Sequence, residues 1–153
     1  MIASTVWNQL VATLKENPTL SKYIKVVFEG ARSDIGTDSL PCIMLEPVSD
    51  GEVLKEMNNV KDVQMVIDLY GNSTPSMESK TKTIVGDDNY KGVMDIQNDI
   101  RAVLQASNHL GGLVLDTRIG TVSYGQSLIV NSKYPSRGFV MPITIMYRQQ
   151  DGY

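Results

Sequence analysis

The chain has 153 residues, 42% of them hydrophobic and 20% charged, with a formal net charge of −3. This is the length and composition of one globular domain, and a mildly acidic chain argues against a nucleic-acid-binding face, which needs clustered Lys and Arg. A single cysteine excludes an internal disulfide, and no charged-then-apolar leader or bilayer-length apolar run is visible; the expectation is one domain over residues 1–153, made in the cytoplasm, with no membrane partner.

In chain order, Ser4 or Thr5 can cap a first helix, with Val6, Trp7, Leu10, Val11 and Leu14 on one face. Asn17-Pro18 ends it, because the residue before a proline avoids the helical region. Leu20, Tyr23 and Ile24 then form a short turn that packs back on this helix. Lys25 to Glu29 reads as a first strand, Arg32 to Ser39 as a polar loop, and Leu40 to Glu46 as a second strand. That second strand is apolar on both faces and so is expected to be central. Pro47 to Gly51 has the composition of a turn. Within Val53 to Gly71, Val63, Met65, Ile67 and Leu69 alternate with Asp62, Gln64, Val66 and Asp68, the period of a half-buried strand. Asn58-Asn59 marks a bulge or turn within it.

Asn72 to Asp87 is polar and lacks a period; a connection of this length is functional or disordered. Asp88 to Ser107 carries the strongest helical signal. Val93, Ile96, Ile100, Val103 and Leu104 draw one stripe, with Asp88, Lys91, Asp95 and Asp99 opposite. Asp87, Asp88 or Asn89 is expected to cap it, and Asn108 with Gly111-Gly112 to stop it. This helix is expected to be the lid of the core. Leu113 to Gly125 reads as a fourth strand and Gln126 to Arg137 as a connection in which Leu128 to Val130 could add a short strand. Phe139 to Arg148 is the last strand, with Phe139, Met141, Ile143, Ile145 and Tyr147 on one face. Pro142 cannot donate to a ladder, so an edge or a bulge is expected there. The fold class is α+β, a single mixed or antiparallel sheet with two helices packed on it, in the order α-β-β-β-α-β-β.

The residues that carry chemistry are few. His109 is the sole histidine, and no G-x-S-x-G elbow accompanies Ser107 or Ser127, so a polar helix C-cap is the better account than a triad. Cys42 in an apolar strand reads as a buried structural thiol. One Cys and one His do not make a zinc set. Asp87-Asp88 lacks the surrounding ligands of a calcium loop, and no phosphate-binding glycine motif is present. Lys80 and Lys82, with Ser79, Thr81 and Thr83, form a weakly basic loop too sparse for a nucleic-acid site. Asp95 and Asp99 are like charges at i, i+4, read either as a solvated face or as a face turned to a partner or pore. No cofactor and no metal is called for.

The segments "LPCIMLEP" at Leu40 to Pro47, "VQMVIDLYG" at Val63 to Gly71, "GVMDIQNDIRAVL" at Gly92 to Leu104, "LVLDTRIGTVSYG" at Leu113 to Gly125 and "RGFVMPITIMYR" at Arg137 to Arg148 follow the first helix in a fixed order. In that order the chain resembles the tail terminator, or tail completion, proteins of long-tailed bacteriophages. The resemblance covers nearly the whole chain and rests on order rather than on an invariant motif. It implies a non-enzymatic virion protein, made in the host cytoplasm and located in the tail. Such a protein forms a ring, expected to be a hexamer, that caps the head-proximal end of the tail tube, stops its polymerisation and presents a surface to the head-neck connector or stopper. The implied partners are itself, the tail tube protein and that neck protein. Genome DNA would pass through the ring without specific binding. On this footing Lys80, Lys82, Leu54, Met57 and Pro142 are candidate contacts to the tube or a neighbour, and Asp34, Asp38, Glu52 and Glu56 candidate acidic residues of the lumen. The alternatives are another neck or tail component, or a non-viral α+β module that binds a ligand or peptide.

Overall fold

The computed structural model describes residues 3–32, 35–57, 60–74, 83–87, 90–126 and 137–150, with the backbone alone at 37, 53–57, 60–61, 126 and 149–150. Three helices lie on one mixed sheet of six strands, an α+β architecture. Helix α1 (Ala3–Glu16) buries Val6, Leu10, Val11 and Leu14, the stripe at i, i+4, i+5 and i+8. Ser4 and Thr5 lie within the helix and do not cap it. Asn17 ends α1 and starts helix α2 (Pro18–Ser21), its side-chain oxygen accepting from the N–H groups of Thr19 and Leu20 at 2.9 and 3.1 Å. This is the turn expected around Leu20, and Leu20 is fully buried.

The sheet is ordered β1 (Val26–Glu29), β2 (Cys42–Met57), β3 (Val60–Asn72), β6 (Arg137–Gln150), β4 (Asp116–Ile119), with β5 (Ser123–Gln126) also paired to β6. Only β1 and β2 run parallel; every other pair is antiparallel. Three expectations are corrected here. Pro47 to Gly51 is not a turn. It is the middle of β2, which stays paired to β3 across a bulge between Pro47 and Ser49. The bulge accommodates a residue that cannot donate and expels Val48 from the ladder, 55% exposed. Leu113 to Gly125 is not one strand but β4 and β5, broken at 120–122. The break lies opposite Pro142: Gly120 donates to the Pro142 carbonyl at 2.8 Å, but the proline has no N–H to return. Pro142 is therefore not on an edge strand. It sits in the interior strand β6, where the outer neighbour is interrupted and a donor is not needed.

Helix α3 (Val93–Ala106) is the lid that its periodicity predicts. Val93, Ile96, Ile100, Val103 and Leu104 are all buried and join Ile43, Leu45, Ile67, Leu69, Met141, Ile143 and Ile145 of the sheet and the buried face of α1 in one core. Its fourteen residues span about 21 Å. A second, smaller core lies on the other side of the sheet, where Ile35 and Leu40 close over Cys42 and Met44 with Val26, Phe28 and Tyr70 beside them.

The start of α3 differs from expectation. Asp88 and Asn89 lie outside the described residues, and Asp87 does not cap. The helix begins after Gly92, and the Asp95 carboxylate accepts from Gly92 N at 3.0 Å and from Gly86 N at 2.7 Å. This is half a capping box, since glycine has no side chain to reciprocate. The next two helix N–H groups, Val93 and Met94, donate to the carbonyls of Thr83 and Ile84, so this end of the helix is closed by the preceding segment. The crossing is tight. A Cβ on Gly86 would stand 1.7 Å from the Tyr90 carbonyl oxygen, and one on Gly92 would stand 2.4 Å from that of Ile84. At the other end, Gly111 and Gly112 take positive φ and turn the chain toward β4.

Candidate interaction site

Strand parity gives the sheet two unlike sides. On β6 the odd residues Phe139 to Tyr147 are buried under the helices, whereas Val140, Pro142, Thr144 and Met146 point the other way and are half-buried. On β3 Val63 to Leu69 face the helices and Gln64, Val66, Asp68 and Tyr70 the open side. The register places Val66 beside Thr144, Asp68 beside Pro142 and Tyr70 beside Val140. Ile35 and Leu40 cover this side only at the Cys42–Met44 corner. Along Val66, Val140, Pro142 and Met146 no described helix or loop lies over the strip.

Charge is placed unevenly on this open face. At its margins Arg148 holds Asp62 at 3.0 Å and Arg118 holds Asp116 at 2.8 Å; Arg118 keeps the Asp116 carboxyl below its ordinary range. At its centre Glu46 and Asp68 are direct cross-strand neighbours, and like charges so placed repel. Glu46 accepts from Ala31 N at 2.7 Å. Asp68 makes no hydrogen bond or ion pair among the described residues. Burial, and then the charges of Asp68 and Glu46, push the Tyr70 hydroxyl pKa up.

The sequence-predicted contact and lumen residues are not gathered in one place. Pro142 is central on the open face. Leu54 and Met57 are at the far end of β2, where Met57 pairs with Val60 and Val60 with Gln150, eight residues along β6 from Pro142, about 26 Å. The side chains of Leu54, Met57 and Glu56 lie outside the described residues, as do Lys80, Lys82 and Asp34 in full. Asp38 is exposed in a short 3-10 turn (Thr37–Ser39) above the Cys42 end of β2. Glu52 is exposed ten residues further along that strand, roughly 30 Å away. Asp95 and Asp99 do not form a free acidic face. Asp95 caps α3, and Asp99 accepts from the Tyr23 hydroxyl at 2.6 Å and pairs with Lys91 at 3.5 Å. Sequence reasoning missed the Glu46–Asp68 pair, because cross-strand neighbours depend on register. The available signal was Val66, an apolar residue at a polar position of the alternating strand.

The remaining chemistry is sparse. Cys42 is fully buried, its sulfur 3.9 Å from the Asn72 amide, and burial pushes its thiol up to about 11. The His109 imidazole is exposed and makes no hydrogen bond among the described residues; Ser127 lies outside them. Among the described residues no group of His, Cys, Asp and Glu could hold a metal ion, and no helix is long and apolar enough to cross a membrane. One groove of about 390 Å³ opens between the start of α1 and the β2 bulge, lined by Ala3, Trp7, Val48, Asp50 and Met65. Compared with protein-family models and with curated proteins, the chain finds no match.

Proposed function

We propose that the chain is a non-enzymatic structural subunit of a tailed-phage virion, a tail terminator that forms a ring on the head-proximal end of the tail tube. In this role it stops tube growth and offers a surface to the neck. The observation that supports it is the sheet face that no described helix or loop covers along Val66, Val140, Pro142 and Met146, a half-buried apolar strip with Asp68, unpaired among the described residues, at its centre. Such a strip is stable in water but better matched against another protein surface. The long strands that carry it are paired continuously between β3 and β6 and, apart from irregularities at Pro47/Ser49 and Glu52/Glu56, between β2 and β3, a rigid platform of the kind that assembly contacts need. The resemblance in element order agrees, and the sheet of the fold follows that order with one added strand.

A second reading rests on the groove beside Trp7. Its apolar lining with Asp50 at the rim would suit a ligand or peptide in a stand-alone binding module. Negative-stain microscopy of the protein, alone and mixed with tail tubes of the same virion, separates the two. Rings at one tube end and tubes of regulated length are expected for a terminator. A protein that stays monomeric with tubes present and leaves their length unregulated favours the binding module.

A further inference from the structure

Two surfaces outside the core are unmatched in charge, and they are opposite in sign. The first is the open face around Asp68. The second lies at the other side of the sheet, at the edge strand β1. There a groove of about 270 Å³ is lined by Leu14, Lys15, Ile24, Lys25 and Val26. Lys15, Lys25 and the nearby Lys22 are exposed, and none is within ion-pair distance of a described carboxylate. This sets them apart from Lys91, Arg118 and Arg148, each held to an aspartate.

The two surfaces cannot meet within one chain. Lys15 in α1 and Lys22, which follows α2 as its C-cap, are on the covered side of the sheet, whereas Asp68 is on the open side. At the first, Val66, Val140 and Pro142 surround the neighbouring carboxylates Asp68 and Glu46; at the second, half-buried Ile24 lies beside three exposed lysines. A lysine suits the first patch, since its alkyl stem can lie on the apolar strip while the ammonium reaches the carboxylate. It would also relieve the repulsion between Glu46 and Asp68.

We propose that the lysine-bearing β1 corner of one copy docks on the Asp68 face of a second copy. This proposal rests on the self-assembly reading above and names the surfaces that carry it. Because the two surfaces differ, the contact is head-to-tail, and repeated it must close into a ring or run on as a filament. It differs from the sequence-based expectation, which placed the contacts at Lys80, Lys82, Leu54 and Met57 besides Pro142.

The test is sedimentation and light scattering across a concentration series, at low and moderate salt, with thermal melts of dilute protein. Asp68→Asn removes a repulsive charge, so the dilute monomer is expected to melt at the same or a higher temperature while self-association weakens roughly tenfold. A carboxylate with a structural role inside the monomer would lower the melting temperature instead, and that result overturns the proposal. Asp68→Lys alone and the Lys22→Glu, Lys25→Glu double variant alone are each expected to stay dispersed. Their mixture is expected to assemble, because every corner then meets a face of opposite charge, and association of the wild type should weaken as salt rises. If the wild type assembles and the charge variants assemble equally well, this contact is wrong while the self-assembly reading stands. A wild type that never assembles, with or without tubes, removes both.

Discussion

The two sides of the β3–β6 pair are made by the same strands, and they have different jobs. Ile67 and Ile143 are adjacent in register and fully buried beneath the helices. One residue along, Val66 and Thr144 are adjacent on the open side and only half-buried. Nothing in backbone geometry distinguishes these positions, since side chains alternate by parity alone. The difference comes from what lies above: α1 and α3 seal one side, and a short segment around Ile35 and Leu40 covers one corner of the other. Stability therefore depends mainly on the covered side, with a smaller core at the Cys42–Met44 corner of the other, and the rest of the open side, which no described segment covers, can carry contacts at little cost to the fold.

The largest effect expected from this contrast is at the covered side. Ile100→Asp in α3 and Ile67→Asp in β3 each place an unpaired charge in the main core, where both residues are fully buried. Each should cost on the order of 4 kcal/mol or more and leave little folded protein, measured by chemical denaturation. A loss below about 1 kcal/mol at either position would mean that water reaches this side and the contrast is false.

A smaller effect is expected in alkali, and it samples both sides. Burial raises the Cys42 thiol, in the small core on the open side, from 9.0 to about 11. Burial, and then the neighbouring Asp50 carboxylate, raise the Tyr147 hydroxyl on the covered side from 10.0 to about 12. In each case the folded protein keeps a proton that the unfolded chain has already lost. Their contribution to stability is therefore complete below about pH 9 and falls as pH rises through the folded values, by about 3 kcal/mol for each group at most. Denaturation between pH 8 and 12 should show the fall. Cys42→Ala should flatten its lower part and Tyr147→Phe its upper part. Equal slopes in wild type and both variants would show that neither proton is held by the fold.

The parity of the faces was legible in the sequence, and so was the α3 stripe, because both are short-range periods that burial enforces. The pairing of Pro47 to Gly51 was not. A Pro-Val-Ser-Asp-Gly run has turn chemistry locally, and only the facing β3 holds it extended across a bulge. Pro142 was read correctly as unable to donate, but the accommodation lay in a break of the neighbouring strand at Gly120 rather than at an edge. The cap of α3 was misplaced because Asp87-Asp88 stand where a capping residue is expected, while the carboxylate that reaches back comes from Asp95. Of the candidate face, Pro142 stands out in the sequence as a proline within a strand; Asp68 and Glu46 do not, since their adjacency exists only in the folded register.

That misplaced cap leads to a prediction of lesser size. From sequence, Asp95→Ala would cost little, as a change on a solvated helix face. With its carboxylate bonded to Gly86 N and Gly92 N, removal leaves two N–H groups without a protein acceptor and should cost about 1 to 2 kcal/mol. Amide exchange at Gly86 and Gly92 should speed up locally, with Ile67 and Ile143 still protected. Exchange that accelerates equally throughout the sheet would show instead that the cap is part of the global core.

The smallest expected effect on stability belongs to the open side and is the most telling for the contrast. Val66→Thr keeps the branched shape that suits a strand and replaces one methyl by a hydroxyl that can reach water. Ile67 next to it would not tolerate such a change, because its side chain has no access to solvent. For Val66 the thermal stability of dilute protein should stay within about 0.5 kcal/mol of wild type. Self-association or binding to tubes should nonetheless weaken, since the same hydroxyl must lose its water when another surface covers it. A stability loss as large as that of a core substitution would mean that Val66 is already covered within the monomer. The open face would then be part of the core and not a surface for assembly.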